Sequence, residues 1–249
     1  MPNADSLPSR PPAPEVAGTA APPPATRGAQ ALRIGGLTRL TGVDFPGRLA
    51  AVVFLQGCPW RCVYCHNPGL LDAAVPGALS WQAVHGFLRQ RRGLLDGVVF
   101  SGGEPTLQAA LGPALAEVRA LGFATGLHTG GMYPERLQRV LPQLDWVGLD
   151  IKAPQHRHDQ VTGTRGGGAR AARSLRLLQH SGVALECRTT WHAGLFGRDD
   201  LFRLADALAA QAVSHWVLQT CRSPGLAAPV LDAEDLAALA ARFARFECR

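Results

Sequence analysis

Six apolar runs, each followed by an amphipathic segment, restrict this chain to one kind of architecture. The runs are "LAAVVFLQG" (49–57), "GVVFSGG" (97–103), "ATGLHTG" (124–130), "WVGLDIK" (146–152), "ALECRTTWH" (184–192) and "SHWVLQT" (214–220). The spacing between them predicts helices over 80–92, about 106–121, a short one from Pro134, one near 168–181 and one near 199–211. A last helix from Asp232 carries Leu236, Leu239, Phe243 and Phe246 on one stripe. Strands alternating with helices demand parallel pairing through right-handed crossovers. Six such α/β units form either a partly closed (β/α)6 barrel or an open doubly wound sheet. In both, chemistry belongs at the C-terminal ends of the strands.

Residues 1–30 contain eight prolines and almost no large apolar side chains. Such a segment cannot bury enough surface to offset its ordering entropy, so a disordered tail is expected over 1–30 and a packed domain over 31–249. No run reaches the ~18 uncharged apolar residues of a membrane helix. The N-terminus has no charged region followed by an apolar one, so a cytoplasmic protein is expected, with no membrane partner. The net charge is +6, carried by dispersed arginines in the predicted helices. Nucleic-acid binders gather such charge in a patch with interleaved aromatics, so no direct nucleic-acid partner is expected.

Residues 58–68 read "CPWRCVYCHNP", three cysteines spaced x3 then x2 directly after the first run. Cys187, Cys221 and Cys248 are scattered, and a disulfide framework belongs first to small secreted chains, so reduced thiols are expected. Structural zinc takes four protein ligands, and His66 adjoins Cys65 too closely to serve well as the fourth. A catalytic zinc on three ligands stays open, although an all-thiolate trio is unusual for it. Three thiolates on three corners of an iron–sulfur cubane, with the fourth iron left for an outside ligand, fit the spacing best.

With Tyr64 before its third cysteine, this CxxxCxxC resembles the motif of the radical S-adenosylmethionine (SAM) enzymes, over roughly residues 32–221. The stretch "GLTRLTGVDFPGRLAAVVFLQGCPWRCVYCHNPGLL" is similar to the activating proteins of anaerobic ribonucleoside-triphosphate reductase. The resemblance implies a partial (β/α)6 TIM-like barrel. It also implies one 4Fe–4S cluster on Cys58, Cys62 and Cys65, with SAM chelating the open iron through its amino and carboxylate groups. Tyr64 and His66, on either side of Cys65, are placed with the cofactor. The implied reaction is reductive cleavage of SAM to a 5′-deoxyadenosyl radical, fed by a one-electron donor such as flavodoxin or ferredoxin.

"SGGEP" (101–105) closes the second run. Its glycines let the backbone approach a ligand, and the carboxylate can accept from an ammonium group. A plain strand-to-helix turn is the other reading. One unit after the cysteines, Gly102, Gly103 and Glu104 resemble the family's GGE motif, which implies contact with the SAM amino group.

In "WVGLDIK" a period of two puts Gly148, Asp150 and Lys152 on one face and Val147, Leu149 and Ile151 on the other. The apolar face packs on helices, which sends the carboxylate and the chain's single lysine towards the lumen. The family resemblance matches this stretch to a D-[IL]-K segment that contacts SAM; an internal pair that holds the barrel is the alternative. Glu186, Arg188, Thr190 and His192 share one face of the fifth run, where four polar side chains need partners or a wet cavity. Arg188 is placed on the SAM carboxylate or ribose with Glu186 orienting it, and His192 on cofactor or substrate. A structural network accounts for these four as well. His128 and Thr129 are expected to line the pocket, and Cys187 to sit in the core.

The activating family implies a backbone substrate, a glycine Cα in a large partner enzyme. Only about 32 residues separate Cys65 from the next run, too few for the ferredoxin-like insert of some activases. The expected function is therefore installation of a glycyl radical on anaerobic ribonucleoside-triphosphate reductase. Three alternatives stand beside it: activation of another glycyl-radical enzyme, a compact small-molecule enzyme resembling 7-carboxy-7-deazaguanine synthase, and a non-enzymatic module with a structural metal.

Overall fold

The computed structural model describes residues 28–191, 193–221 and 231–249. Eight strands form one sheet in unbroken sequence order. They are β1 (Ile34–Thr41), β2 (Ala50–Leu55), β3 (Gly97–Gly102), β4 (Ala124–Thr129), β5 (Trp146–Asp150), β6 (Ala184–Trp191), β7 (His215–Thr220) and β8 (Arg245–Cys248). β1 runs antiparallel to β2, and every later neighbour is parallel. The crossovers carry α1 (Trp81–Arg89), α2 (Leu111–Ala120), α3 (Pro134–Val140), α4 (Gln155–Thr162) with α5 (Gly167–Ser181), α6 (Arg198–Ala210) and α7 (Ala233–Ala240). A doubly wound sheet reverses its strand order at a switch point. None occurs here, so β2–β7 and their helices make a partial (β/α)6 barrel, open between β1 and β8.

Local chemistry sets the element ends. Ser80 accepts a hydrogen bond from the Ala83 amide and caps α1; Asp232 does the same for Asp235 at the start of α7. Left-handed Gly182 ends α5. Strand alternation then sorts the two faces. Ala51, Val53 and Leu55 of β2, Val98 and Phe100 of β3, and Val147 and Leu149 of β5 pack in the main core. Ala50, Val52, Val99 and Trp146 meet Phe45 in a smaller core on the opposite face. Phe45 comes from the β1–β2 turn and stacks on Trp146 with ring centroids 5.6 Å apart. It fills space left by Gly97, where a Cβ would stand 2.8 Å from its ring. This turn therefore floors the barrel at the end opposite the cysteines.

Three elements escape the pattern reading: edge strand β1, polar helix α4 and short strand β8. The last helix also stops earlier than the stripe predicts. It ends at Ala240, Phe243 lies in the following turn, and Phe246 is on β8. Both rings still meet Trp216, at 5.1 and 5.5 Å, so the apolar stripe reports one contact surface built from three elements. Ala29–Ala31 form a 3-10 helix with Ala29 in the main core, so one residue assigned to the tail, Ala29, is packed. The rest of that tail, 1–27, lies outside the described residues. Among the described residues no helix is long and apolar enough to cross a membrane.

Candidate active site

The C-terminal ends of β2–β7 surround a cavity of about 290 Å³. The loop after β2 supplies Cys58, Cys62 and Cys65; β3 supplies Ser101 and Gly102, followed by Gly103 and Glu104. His128 and Thr129 come from β4, Asp150 and Lys152 from the end of β5, Arg188 and Thr190 from β6, and Gln219 from β7. Tyr64 and His66 also line it, their rings 6.3 Å apart. The chain thus gathers eleven of the twelve residues assigned to the cluster or cofactor from the sequence; His192 lies outside the described residues.

The cysteine loop is pinned from both flanks. Gly57 and Cys58 amides donate to Leu70 and Leu71 carbonyls (2.8 and 3.0 Å), and the Arg61 amide donates to Thr162 at the end of α4 (2.8 Å). All three thiols are partly exposed. Burial pushes the Cys58 thiol up to about 12 and also raises Cys62, the latter against the pull of Lys152. Such thiols surrender their protons to metal rather than to neutral water. Among the described residues no three His, Cys, Asp or Glu side chains close on a single-ion point.

Glu104 is 3% exposed, and its hydrogen-bond donors among the described residues are all neutral. Its Oε1 accepts from the Thr106 amide (3.0 Å), the Thr106 hydroxyl and the Thr129 hydroxyl (2.8 Å). Its Oε2 accepts from the Gly130 amide (2.9 Å), with the Thr129 hydroxyl at 3.0 Å. Burial raises its pKa against the pull of those neutral donors. A buried carboxylate held this way is oriented but uncompensated in charge.

Gly102 and Gly103 have a reason within the fold itself. Cβ atoms there would stand 2.3 Å from the Leu55 amide nitrogen and 2.2 Å from the Gly57 carbonyl oxygen. They let the β3 turn cross the end of β2, and Gly102 adopts a left-handed φ of +114°. Gly130 likewise lies under the Trp60 ring, where a Cβ would stand 2.2 Å away.

Opposite Glu104, Asp150 joins two cations: Lys152 Nζ at 2.9 Å from Oδ2 and Arg188 Nε at 3.0 Å from Oδ1. Burial pushes the Asp150 carboxyl up, but the charges of Lys152 and Arg188 outweigh it and hold it well below the usual range. Lys152 is held above its usual value because Asp150 overcomes the opposing effect of burial. Gly148 makes room for the Arg188 guanidinium, which a Cβ would meet at 2.8 Å. Glu186, expected to orient Arg188, does something else. It is fully buried two residues down the strand and pairs with Arg249 of the chain end (3.4 Å) and His215 (3.8 Å). Arg188 takes its partner from the neighbouring strand, where Asp150 is its register mate.

Two lining residues are built more tightly than the sequence implies. Thr129 is the hydroxyl that reaches both oxygens of Glu104 and accepts from the Gly131 amide (3.0 Å). His128 Nε2 lies 2.9 Å from the Asp44 carbonyl and so donates to it, leaving Nδ1 for the Ser101 hydroxyl at 3.4 Å. Burial, then the Arg188 charge, brings His128 down to about 3, so its ring is neutral. A polar residue at a strand end was the available signal for both. Nothing in the sequence marks Trp60.

Residues 52–200 match the radical SAM superfamily. The chain belongs to that superfamily. Its relatives include a candidate glycyl-radical enzyme activating enzyme of Methanocaldococcus jannaschii, 28% identical over 181 residues, 69% of this chain and 73% of that one. The pyruvate formate-lyase-activating enzyme of Clostridium pasteurianum is 36% identical over 125 residues, 48% of this chain; the match spans about half (52%) of that enzyme's length. The 7-carboxy-7-deazaguanine synthase of Thermococcus kodakarensis is 28% identical over 159 residues, 55% of this chain and 61% of that enzyme. Among solved structures, Streptococcus suis SuiB bound to S-adenosylmethionine shares the fold, with a TM-score of 0.58 at 16% identity over 78% of this chain and 48% of that one.

Radical SAM enzymes use a 4Fe–4S cluster and SAM, and Cys58, Cys62 and Cys65 fit their CxxxCxxC motif. The donor set suits both groups. Three thiols line one cavity, the uncompensated Glu104 carboxylate lies near Cys58, and the Tyr64 hydroxyl is buried in the cavity wall with no hydrogen-bond partner among the described residues.

Proposed function

We propose that this radical SAM enzyme is a glycyl-radical enzyme activase whose protein substrate is anaerobic ribonucleoside-triphosphate reductase. The observation that carries the reading is Glu104: a buried carboxylate whose hydrogen-bond donors among the described residues are neutral, lining the same cavity as three thiols. In this reading Cys58, Cys62 and Cys65 hold the cluster, and Glu104, set by the Gly102–Gly103 turn, receives the SAM ammonium. Lys152 and Arg188 face the SAM carboxylate or ribose, Tyr64 and His66 flank the cofactor, and His192 ends the β6 side.

When bound, the cluster and SAM supply one-electron cleavage of the sulfonium and abstraction of a substrate hydrogen. The residues of this chain bind and exclude. Asp150 fixes the directions of both cations, so neither must reorganise when a ligand arrives. The neutral His128 ring offers no proton to the cavity at physiological pH. Phe45 and Trp146 close the floor against water, which a reactive carbon-centred species requires. A one-electron donor of the flavodoxin or ferredoxin type and a cytoplasmic setting accompany this function.

Support for a protein substrate comes from the relatives named as glycyl-radical enzyme activases. Reduced protein, SAM and an anaerobic ribonucleoside-triphosphate reductase should together give a glycyl doublet in electron paramagnetic resonance (EPR). Deoxyadenosine without that doublet contradicts the activase reading. It would favour a small-molecule enzyme, the reading supported by the likeness to 7-carboxy-7-deazaguanine synthase.

A further inference from the structure

The cysteine loop has two sides. Cys58, Trp60, Cys62, Tyr64 and Cys65 line the cavity, whereas Arg61 and Val63, which alternate with them, are exposed and do not. The end of α4 runs along this outer side. Arg61 N donates to Thr162 O (2.8 Å) and Val63 N to Val161 O (3.4 Å), and a Cβ at Gly163 would stand 3.3 Å from Arg61. The Thr164 hydroxyl donates to the Pro59 carbonyl (3.4 Å), which brings exposed Arg165 beside the loop. Arg170, exposed one turn into α5, follows Gly167 by three residues, and a Cβ at Gly167 would stand 3.5 Å from the Trp60 indole nitrogen of the same loop.

The charge here is mostly positive. Among the described residues the ion pairs of arginine engage Arg119, Arg157, Arg173, Arg188, Arg198, Arg203, Arg242, Arg245 and Arg249, and none of Arg61, Arg165 or Arg170. The acid of this face, Asp159, is turned to the Gly166 amide (3.0 Å). Arg61 is fixed by the carbonyls of Cys58 (2.6 Å) and Trp60 (2.9 Å), so its guanidinium marks the back of the metal-binding loop. Val63, 56% exposed, adds an apolar centre.

A protein that delivers electrons needs a short path to the cysteine ligands and no entry to the cavity, where SAM and substrate must meet. We propose that the outer face of the cysteine loop, with Arg61, Arg165, Arg170 and Val63, docks an acidic one-electron carrier protein. The proposal rests on the radical SAM function proposed above. In the step it serves, the carrier is oxidised by one electron and the cluster reduced by one; no bond or proton moves. Charges at such a rim act on association and make it salt-sensitive.

The test compares the holoenzyme with its Arg165→Glu/Arg170→Glu variant, whose changes are exposed and outside the cavity. The probe is a flavodoxin of strongly negative net charge. Oxidised flavodoxin should bind the wild type with a Kd that rises steeply with salt, and the variant at least tenfold more weakly with a shallower salt dependence. Cluster reduction by photoreduced flavodoxin should slow at least tenfold in the variant. SAM cleavage driven by dithionite, too small to need the face, should stay within twofold. Unchanged flavodoxin binding overturns the proposal, as does an equal loss with dithionite. Normal flavodoxin binding with a lost glycyl radical also overturns it and assigns the face to the substrate protein. A wild type that cleaves no SAM even with dithionite sinks the underlying function, and the proposal with it; the equilibrium binding arm tells that failure from the others.

Discussion

Arg188 on β6 and Asp150 on β5 are register mates in adjacent parallel strands, and the guanidinium Nε stands 3.0 Å from the carboxylate Oδ1. The other oxygen of Asp150 holds Lys152 at 2.9 Å. One carboxylate therefore anchors both cations on this wall of the cavity. Asp150→Asn leaves two largely buried charges uncompensated and should cost about 3 kcal/mol. At 2–4 °C per kcal/mol for a chain of this size, the apparent Tm should fall by about 6–12 °C. The double variant Asp150→Asn/Lys152→Met should recover part of that loss. Anaerobic scanning fluorimetry reads both, and full stability in the single variant contradicts the pairing.

Thr129 positions Glu104 by donating to its carboxylate and accepting from the Gly131 amide. Thr129→Val keeps the shape and removes the hydroxyl, so SAM binding should weaken at least tenfold, as loss of a hydrogen bond to a charged group (about 1.5–3 kcal/mol) implies. Thr129→Ser should restore it. Equilibrium dialysis with labelled SAM checks the pair; equal affinities in all three proteins refute the assignment.

What the sequence made legible, and what it hid, follows from how local each signal is. The cysteine trio, the GGE turn and the D-I-K strand are each contained in a few residues, and strand alternation alone points Asp150 and Lys152 to one face. The partner of Glu186 was not legible, because Arg249 is 63 positions away and joins it through β8, a four-residue strand with mixed polarity. α4 reads QHRHDQVT, almost without apolar residues, yet it pins the cysteine loop through its backbone carbonyls, which carry no sequence signature. The need for Gly102 and Gly103 was visible, but not its cause: the clash is with the backbone of β2 and its following loop, a contact across the sheet.

Gly102→Ala tests that cause. The new methyl group would meet the Leu55 backbone at 2.3–2.5 Å at a φ of +114°. Strain of this kind costs about 1–3 kcal/mol before the clash is counted. The variant should lose cluster on gel filtration and unfold earlier. An alanine variant with normal iron content and Tm contradicts the backbone explanation.

Acid should destabilise the protein through two buried imidazoles. Burial brings His128 down to about 3 and His158 down to about 4, against about 6.5 in an unfolded chain. Between those values and 6.5 the unfolded chain binds the additional protons, so stability rises with pH by about 1.4 kcal/mol per unit for each histidine. Going from pH 7.5 to 5.5 should therefore remove about 2–3 kcal/mol, or about 5–10 °C of apparent Tm. His158→Gln should roughly halve the drop. A variant that keeps the full pH dependence places the acid sensitivity elsewhere.

The most direct test is EPR of the anaerobically purified, reduced protein, with metal analysis of the same sample, before and after SAM. The expected result is about four irons and four sulfides per chain, a reduced-cluster signal that changes on SAM addition, and loss of both in Cys58→Ala, Cys62→Ala or Cys65→Ala. Zinc on those three cysteines, or an iron signal that SAM leaves untouched, contradicts the account.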